Sequence, residues 1–182
     1  MQPEAAKETD STSKSIWHFE PSHTTVEFTI RNFFSTVRGS FSVGVGAILL
    51  DENDIACSAV KATINAASIS TGIKRRDAHL RSSDFLQADQ HPNIQFQSSK
   101  VGPGKDRDML AVTGLLTIRG MNKEIVLEVN EVDRSRSPDG EEVIYYCVTT
   151  EIDRFAFGIK YGRGVIGRMV KVTINVQASR EV

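Results

Sequence analysis

Cysteine is scarce in this chain, and what little there is does not suggest cysteine chemistry. The 182 residues include two cysteines, Cys57 and Cys147, which form no CxxC pair and have no His at metal-ligand spacing. No basic partner that could activate either thiol as a nucleophile is evident. We expect free thiols, with pairing across a sheet as the alternative.

Long hydrophobic runs and an excess of charge of one sign are also missing. No stretch reaches the roughly 18 apolar residues that a membrane-spanning helix needs. Lys and Arg number 22 and Asp and Glu 23, for a net charge of −1. A nucleic-acid-binding domain usually carries a basic excess or stripe, so neither a membrane span nor a nucleic-acid partner is expected.

The first fourteen residues lack the features of folded structure. Residues 1–14 contain no aromatic and no β-branched aliphatic residue, which predicts a disordered tail followed by one domain over residues 15–182. They also lack the apolar core of a signal peptide. The expected location is cytoplasmic, or periplasmic where an export leader has been removed.

From Ile16 onward, apolar and polar residues alternate in one segment after another. Val26, Phe28 and Ile30, for example, are separated by polar residues, which is typical of a half-buried strand. Short turns rich in Gly, Pro and Asp divide the segments, and no alternation of strands with helices is present. The pattern predicts an all-β domain of about eight strands, arranged as an antiparallel barrel or sandwich.

One long stretch interrupts the strand pattern. Between Ser68 and Phe96 the alternation largely stops, and the apolar residues from Arg75 to Leu86 are too sparse for a strand. A short helical segment around residues 75–86 fits better. A break of this length is typical of a functional loop or lid.

Small residues among the apolar positions bear on what the barrel interior holds. Gly39, Gly46, Ala62 and Gly114 would leave room for one small ligand in an eight-stranded barrel. The alternative is that they are taper and bulge positions in a filled core, which the pattern alone favours.

Several short blocks occur along the chain in a specific order. They are His23 with Val26-x-Phe28, Val37-Arg38-Gly39-x-Phe41, Ser68-Ile-x-Thr71-Gly72, Arg76-Asp77-x-His79-Leu80, Ser83-Asp84-Phe85, Pro92-x-Ile94-x-Phe96, Gly114-x-Leu116-Thr117-Ile118-x-Gly120 and Arg154-x-x-Phe157-Gly158. Together they resemble the YceI-like family, also described as polyisoprenoid-binding, lipocalin-like proteins. The resemblance covers about residues 15–178.

This resemblance implies an elongated, lipocalin-like antiparallel barrel that binds a long apolar chain, typically an isoprenoid or an isoprenoid quinone. It implies no catalysis and no required cofactor other than the bound lipid. The chain departs from the family pattern at Asn32, where His is frequent, at Leu86, where an aromatic is frequent, and at Gln87 and Ala156, where acids are frequent. Asn32 and Leu86 lie where the end of a ligand could be recognised.

Residues that share parity on their strands are expected to point inward. With the aromatic and apolar residues near the breaks, they form the predicted ligand-binding set. Its members are Phe28, Ile30, Phe33, Phe34, Val37, Phe41, Ile64, Leu80, Phe85, Leu110, Val112, Leu116, Ile118, Ile125, Leu127, Val148, Phe155, Phe157, Val170 and Val172.

Arg76, Asp77 and His79 form the predicted polar rim. A His close to a carboxylate occurs in acid–base and in metal sites, but a metal would need more ligands and none is expected here. The interpretation we favour is structural: Asp77 caps or salt-bridges the helical segment, and Arg76 and His79 tie it to rim carbonyls. The cations of residues 74–76 and 160–163 are either a solvated face or a mouth that favours a polar or anionic headgroup.

Three functions follow as hypotheses. The first is a non-enzymatic carrier, storage or sequestering protein for a long-chain isoprenoid lipid or quinone. The second is a β-domain with a filled core in a structural or stress-response role. The third is an enzyme acting on a lipid headgroup at the Arg76, Asp77 and His79 rim. The sequence also leaves a homodimer open.

Overall fold

Residues 14–182, which the computed structural model describes, contain nine β-strands in one antiparallel sheet. The strands are β1 (Lys14–Phe19), β2 (Thr25–Asn32), β3 (Ser35–Asp51), β4 (Ala59–Asn65), β5 (Asn93–Pro103), β6 (Met109–Ile118), β7 (Met121–Arg136), β8 (Glu142–Asp153) and β9 (Met169–Arg180). The one α-helix of this part of the chain, α1 (Lys74–Arg81), lies between β4 and β5.

The sheet closes on itself because β3 pairs with β4 and β2 pairs with β9. Strand β1 continues the position of β2: it pairs with the far half of β3 and with the end of β9. The barrel wall is therefore eight strands wide, with β1 and β2 together forming one of the eight. A 3-10 turn at Pro21–His23 separates these two strands. The prediction of an eight-stranded, lipocalin-like antiparallel barrel is confirmed.

The two ends of the barrel carry different connections. One end, called the α1 end below, holds the β2–β3 and β6–β7 hairpins, the long β4–β5 connection with α1, and the β8–β9 connection. The opposite end, called the β1 end, holds the β3–β4, β5–β6 and β7–β8 connections and the start of β1.

Two tight hairpins at the α1 end differ in how well their residues suit the turn. Strands β6 and β7 are joined by Arg119 and Gly120, with φ of 53° and 70°, the type I′ pattern in which Gly is favoured. Strands β2 and β3 are joined by Phe33 and Phe34, and of these two Phe33 alone has a positive φ, 53°. A positive φ in a two-residue hairpin loop is normally adopted by Gly or Asn.

The predicted helical segment is present but shorter than residues 75–86. Helix α1 ends at Arg81, and the chain then folds back, so that Leu86 N donates to Leu80 O and Ala88 N donates to Arg81 O. The Arg81 guanidinium donates to Ala67 O at 2.7 Å and to Ile69 O at 3.0 Å. These bonds fix the helix to the chain that leaves β4.

The expectation that inward glycines leave room for a ligand is wrong. A Cβ atom on Gly39, Gly46 or Gly114 would lie within 2.6 Å of an aromatic ring. The rings belong to Phe28, Phe19 and Phe96, respectively. Each glycine lets an aromatic side chain of an adjacent strand lie flat on the wall, a known device for curved sheets.

The predicted tail is one residue too long, and the prediction of free cysteines is confirmed. Lys14, predicted to belong to the tail, is the first residue of β1, and residues 1–13 lie outside the described part of the chain. Cys57 is exposed and Cys147 is half-buried, and both are free thiols as expected. Between residues 14 and 182, no helix is long and apolar enough to cross a membrane.

Candidate binding cavity

A cavity of about 490 Å³ occupies the barrel interior, within the size range of small-molecule sites. Nearly all the side chains that line it are apolar. Several inward residues, including Val37, Phe41 and Leu110, are half-buried because they face this space. The interior is therefore not filled by side chains, and the filled-core alternative is wrong.

Seventeen of the twenty residues in the predicted ligand-binding set line the cavity. All but Leu80, Phe85 and Phe157 lie on strands, where period-two alternation places every second residue on the same face. They are Phe28, Ile30, Val37, Phe41, Ile64, Leu80, Phe85, Leu110, Val112, Leu116, Ile118, Ile125, Leu127, Val148, Phe157, Val170 and Val172.

The other three predicted residues, Phe33, Phe34 and Phe155, do not line the cavity. Phe33 and Phe34 form the tip of the β2–β3 hairpin and point into solvent, because a two-residue loop cannot turn its side chains back into the barrel. The Phe155 ring lies outside among guanidinium groups, 4.8 Å from Arg154 and 5.1 Å from Arg163.

Sequence reasoning also missed lining residues. Ile174 and Val176 share the parity of Val170 and Val172 on β9, so alternation could have assigned them. Asn32 shares the parity of Phe28 and Ile30 on β2 and was expected near the end of a ligand, but as a polar residue it was left out of the predicted set. Arg154 and Tyr161 had no such signal, because they lie outside regular strands. Others that line the cavity and were missed are Phe19, Ile48, Leu50, Ile69, Ile94, Phe96, Val101, Val129, Tyr146, Ile152, Ile159 and Ile166.

Polar lining residues gather at the α1 end of the cavity. Asn32 ends β2 and forms an isolated bridge with Ile166 of the β8–β9 connection. Arg154 and Tyr161 belong to that same connection, and His79 on α1 contacts the Tyr161 ring. The cavity is thus an apolar space with polar groups concentrated at one end.

The predicted rim residues hold the long β4–β5 connection together. Asp77 is buried, and its Oδ1 accepts hydrogen bonds from the Thr71 N–H, at 2.8 Å, and from the Thr71 hydroxyl. Arg76 donates to the Thr71 hydroxyl at 2.7 Å and to Thr71 O at 3.0 Å. Arg76 therefore binds a carbonyl of this connection, as we favoured. The predicted cap by Asp77 is not formed, because the N-terminus of α1 has no side-chain cap and Asp77 holds Thr71 instead.

His79 differs from that interpretation. Its Nε2 lies 2.8 Å from Asp84 Oδ2, so it pairs with a carboxylate and does not tie the helix to a rim carbonyl. Arg81 makes the backbone bonds instead. Because Asp77 and His79 have separate partners, the three rim residues do not converge as an acid–base group.

Three rings join helix α1 to the β8–β9 connection. His79 lies edge-on to Phe85 and to Tyr161, with centroid distances of 5.0 and 4.7 Å, and the Phe85 and Tyr161 centroids are 5.2 Å apart. All three residues line the cavity. They form a covering at the α1 end that is held by ring contacts, not by backbone pairing.

The buried guanidinium of Arg154 organises the β8–β9 connection. It donates to Gly167 O at 2.7 Å, to Ile159 O and Tyr161 O at 2.8 Å, and to Ile166 O at 2.9 Å. Its burial lowers the pKa of Arg154 below the ordinary value for arginine. The charge is held by carbonyl dipoles, which positions Tyr161 and Ile166 against the cavity.

The β1 end has an apolar cluster of its own. Trp17 and Ile144 are almost fully buried in a cluster that also contains Leu50 and Tyr146. Burial raises the pKa of Tyr146 to about 12. The cavity lining nevertheless reaches exposed residues near this end, at Ile55 and Ala59 around the β3–β4 connection.

Metal ligation has no support in this part of the chain. No group of three or more His, Cys, Asp or Glu side chains between residues 14 and 182 could hold a metal ion.

Comparison with known proteins gives the family. A sequence model of the YceI-like domain matches residues 17–178. The chain belongs to the YceI-like family. Protein YceI of Shigella flexneri is 32% identical over 163 residues, covering 89% of this chain and 84% of that protein.

Solved structures agree on the YceI-like fold. Burkholderia cenocepacia BcnA matches with a TM-score of 0.78 at 20% identity, over 87% of this chain and 98% of that one. A domain from Saccharophagus degradans, described as a polyisoprenoid-binding domain implicated in plant cell wall breakdown, matches with a TM-score of 0.67 at 14% identity, over 91% and 98%. At these identities the likeness concerns the fold.

Two of the four positions named as departures from the YceI-like pattern lie at the cavity, whereas Gln87 and Ala156 do not. Asn32 and Leu86 both line it.

Proposed function

We propose that this YceI-like protein binds one long-chain isoprenoid lipid, of the polyprenyl or isoprenoid-quinone type, inside the barrel. It does so as a carrier, storage or sequestering protein and not as an enzyme. The observation that carries the proposal is the apolar cavity of about 490 Å³ that runs inside the barrel. Membership of the family and the polyisoprenoid-binding description of the Saccharophagus neighbour support the ligand class.

Burial of the lipid tail accounts for affinity without strong headgroup contacts. Four isoprene units hold roughly twenty carbons, and burying them contributes about 16 kcal/mol at about 0.8 kcal/mol per carbon. If about half of that offsets ligand ordering and imperfect fit, micromolar binding remains. The polar groups of the site then have only to orient the ligand.

The headgroup belongs at the α1 end. Asn32, Arg76, His79 and Tyr161 line the cavity there, whereas the lining near Ile55 is mostly apolar. A headgroup that contacts Asn32 or Tyr161 keeps its hydrogen bonds, and an apolar tail extends towards the β1 end.

The decisive experiment is organic extraction and mass spectrometry of the purified full-length protein, followed by reloading of the stripped protein with prenyl alcohols of increasing length. We expect a co-purified isoprenoid lipid and saturable uptake of long chains. A folded protein that carries no isoprenoid and takes up none would contradict the proposal.

A matched pair of variants tests whether the ligand lies inside. Ala62 lines the cavity, whereas Ala111 is on β6 between the inward residues Leu110 and Val112 and so faces outward. Ala62→Trp should fill the cavity and abolish lipid uptake, and Ala111→Trp should leave it unchanged. Equal lipid content in the two folded variants would place the ligand outside the barrel.

Headgroup preference is tested by comparing a prenyl phosphate with the matching neutral alcohol at low and high salt. The exposed cations at the α1 end should favour the phosphate at low salt, and screening should remove that preference at high salt. Equal affinities at low salt would show that these cations take no part in headgroup binding.

A further inference from the structure

Two phenylalanines project from the α1 end. Phe33 is 66% exposed and Phe34 is fully exposed. Their rings stack on each other, with centroids 6.3 Å apart. Each ring therefore leaves most of its apolar surface in water, and packing of the barrel does not explain either of them.

Backbone preference does not explain Phe33 either. Its φ of 53° lies in the left-handed region, which disfavours every residue with a Cβ atom and is normally occupied by Gly or Asn in such turns. A large aromatic at a strained and exposed turn position points to a role outside the fold.

Charge is distributed unequally between the two ends of the barrel, although the whole chain is nearly neutral. The connections at the α1 end carry five exposed cations and two exposed acidic residues. The connections at the β1 end carry two exposed cations and six exposed acidic residues. The five exposed cations are Lys74, Arg75, Lys160, Arg163 and Arg168.

The phenylalanines and the cations surround the end of the cavity. Phe33 N donates to Val165 O at 3.0 Å, so the aromatic hairpin is joined to the connection that carries Lys160 and Arg163. Asn32, the residue before Phe33, itself lines the cavity. Exposed Tyr161 and Ile73 add apolar surface at the same end.

We propose that the α1 end docks onto an anionic lipid bilayer. Phe33 and Phe34 enter the boundary between headgroups and acyl chains, and the exposed cations lie against the headgroups. Apolar residues combined with Lys and Arg are the features by which proteins attach to a bilayer surface. A protruding tip of two exposed aromatic rings suits a soft bilayer, which it can enter without a preformed pocket.

This docking goes beyond lipid binding in the cavity and is independent of it. The test therefore uses vesicles that contain no isoprenoid. Full-length protein is sedimented with vesicles of phosphatidylcholine alone or of phosphatidylcholine with phosphatidylglycerol, at low and high salt. We expect binding to rise with the anionic fraction and to fall with salt.

Three variants assign the contacts. Phe33→Asn with Phe34→Ser should reduce binding to anionic vesicles about tenfold or more, since that is the effect of one buried aromatic ring. Lys160→Gln with Arg163→Gln should reduce it by about twenty-fivefold at low salt, at roughly fivefold for each cation near the surface. Val132→Ser, at a 61% exposed position on β7, should have no effect.

Several results would overturn the proposal. One is the absence of binding to anionic vesicles, and another is equal binding to neutral and anionic vesicles. Equal binding of the wild type and the double phenylalanine variant would remove the role of the hairpin. Salt-sensitive self-association without vesicles, abolished by the same substitutions, would show instead that the α1 end contacts the acidic β1 end of a second copy.

Discussion

The two ends of this barrel share apolar packing but differ in their buried polar contacts. At the β1 end, Trp17 and Ile144 pack in an apolar cluster. At the α1 end, Phe157 and Leu86 belong to a second buried cluster. In addition, Arg154 and Arg81 hold the connections through backbone carbonyls, and rings form the contact between α1 and the β8–β9 connection.

This difference matters for ligand exchange. Apolar packing resists local opening because any gap loses many contacts at once. A segment held by a few hydrogen bonds and ring contacts opens with a lower local free energy. The ring contact between His79 and Tyr161 is of this second kind, so we expect local opening at the α1 end to begin between α1 and the β8–β9 connection.

The largest expected effect is at the β1 end. Trp17→Ala removes a side chain that is only 1% exposed and should lower the free energy of unfolding by about 4 kcal/mol. Urea denaturation measures this, and Phe34→Ala at the other end should change the same quantity by less than about 0.5 kcal/mol. Similar losses for the two variants would show that burial does not distinguish the ends.

Arg154→Met tests the hydrogen-bonded end. It removes four bonds to carbonyls, and we expect a loss of about 3 kcal/mol because these acceptors lose a charged donor. Hydrogen exchange should accelerate between residues 159 and 167 more than in the strands. Arg168→Met breaks an exposed ion pair with Asp153 and should cost less than about 1 kcal/mol.

Phe33→Asn should act in the opposite direction. Asn tolerates the left-handed backbone that Phe33 adopts at φ of 53°, so we expect a gain of about 0.5 to 1 kcal/mol. Thermal unfolding followed by circular dichroism measures it. A clear loss of stability would mean that the Phe33 ring supports the fold.

The smallest effect concerns pH. Hydrogen bonding to Arg168 holds the pKa of Asp153 below its ordinary value of 3.8, so this interaction stabilises the fold fully above that pH. The stabilisation is lost as pH falls below 3.8 through the lower folded pKa. Stability of the wild type should therefore fall more steeply than that of Asp153→Asn between about pH 4 and about pH 2. Parallel curves for the two proteins would contradict this.

Alternation along the strands was enough to predict the barrel wall and most of the lining. Residues such as Val112 and Leu116 face inward because their position on the strand decides it. Alternation also placed Gly39 inward, but the prediction that it leaves room for a ligand is wrong, because the ring of Phe28 on the adjacent strand covers it. Cross-strand register, which one strand alone does not show, decides whether a small residue leaves space.

The connections were harder to predict because their structure depends on contacts between segments distant in the sequence. Arg154 has no local pattern that marks it as buried, and its role depends on four carbonyls 5 to 13 residues away. The charge difference between the ends could not be predicted either, because the charged residues are distant in the sequence. Residues 74–75 and 160–168 share one end only after the barrel has formed.

Closure of the barrel has a consequence for how the chain folds. Strand β2 pairs with β9, so that Val26 lies opposite Ile174, and contacts of such long sequence separation make folding slow. During synthesis the wall stays open until β9 has left the ribosome. The inward faces of the earlier strands are exposed until then and are the surface on which the nascent chain is open to aggregation or to chaperones.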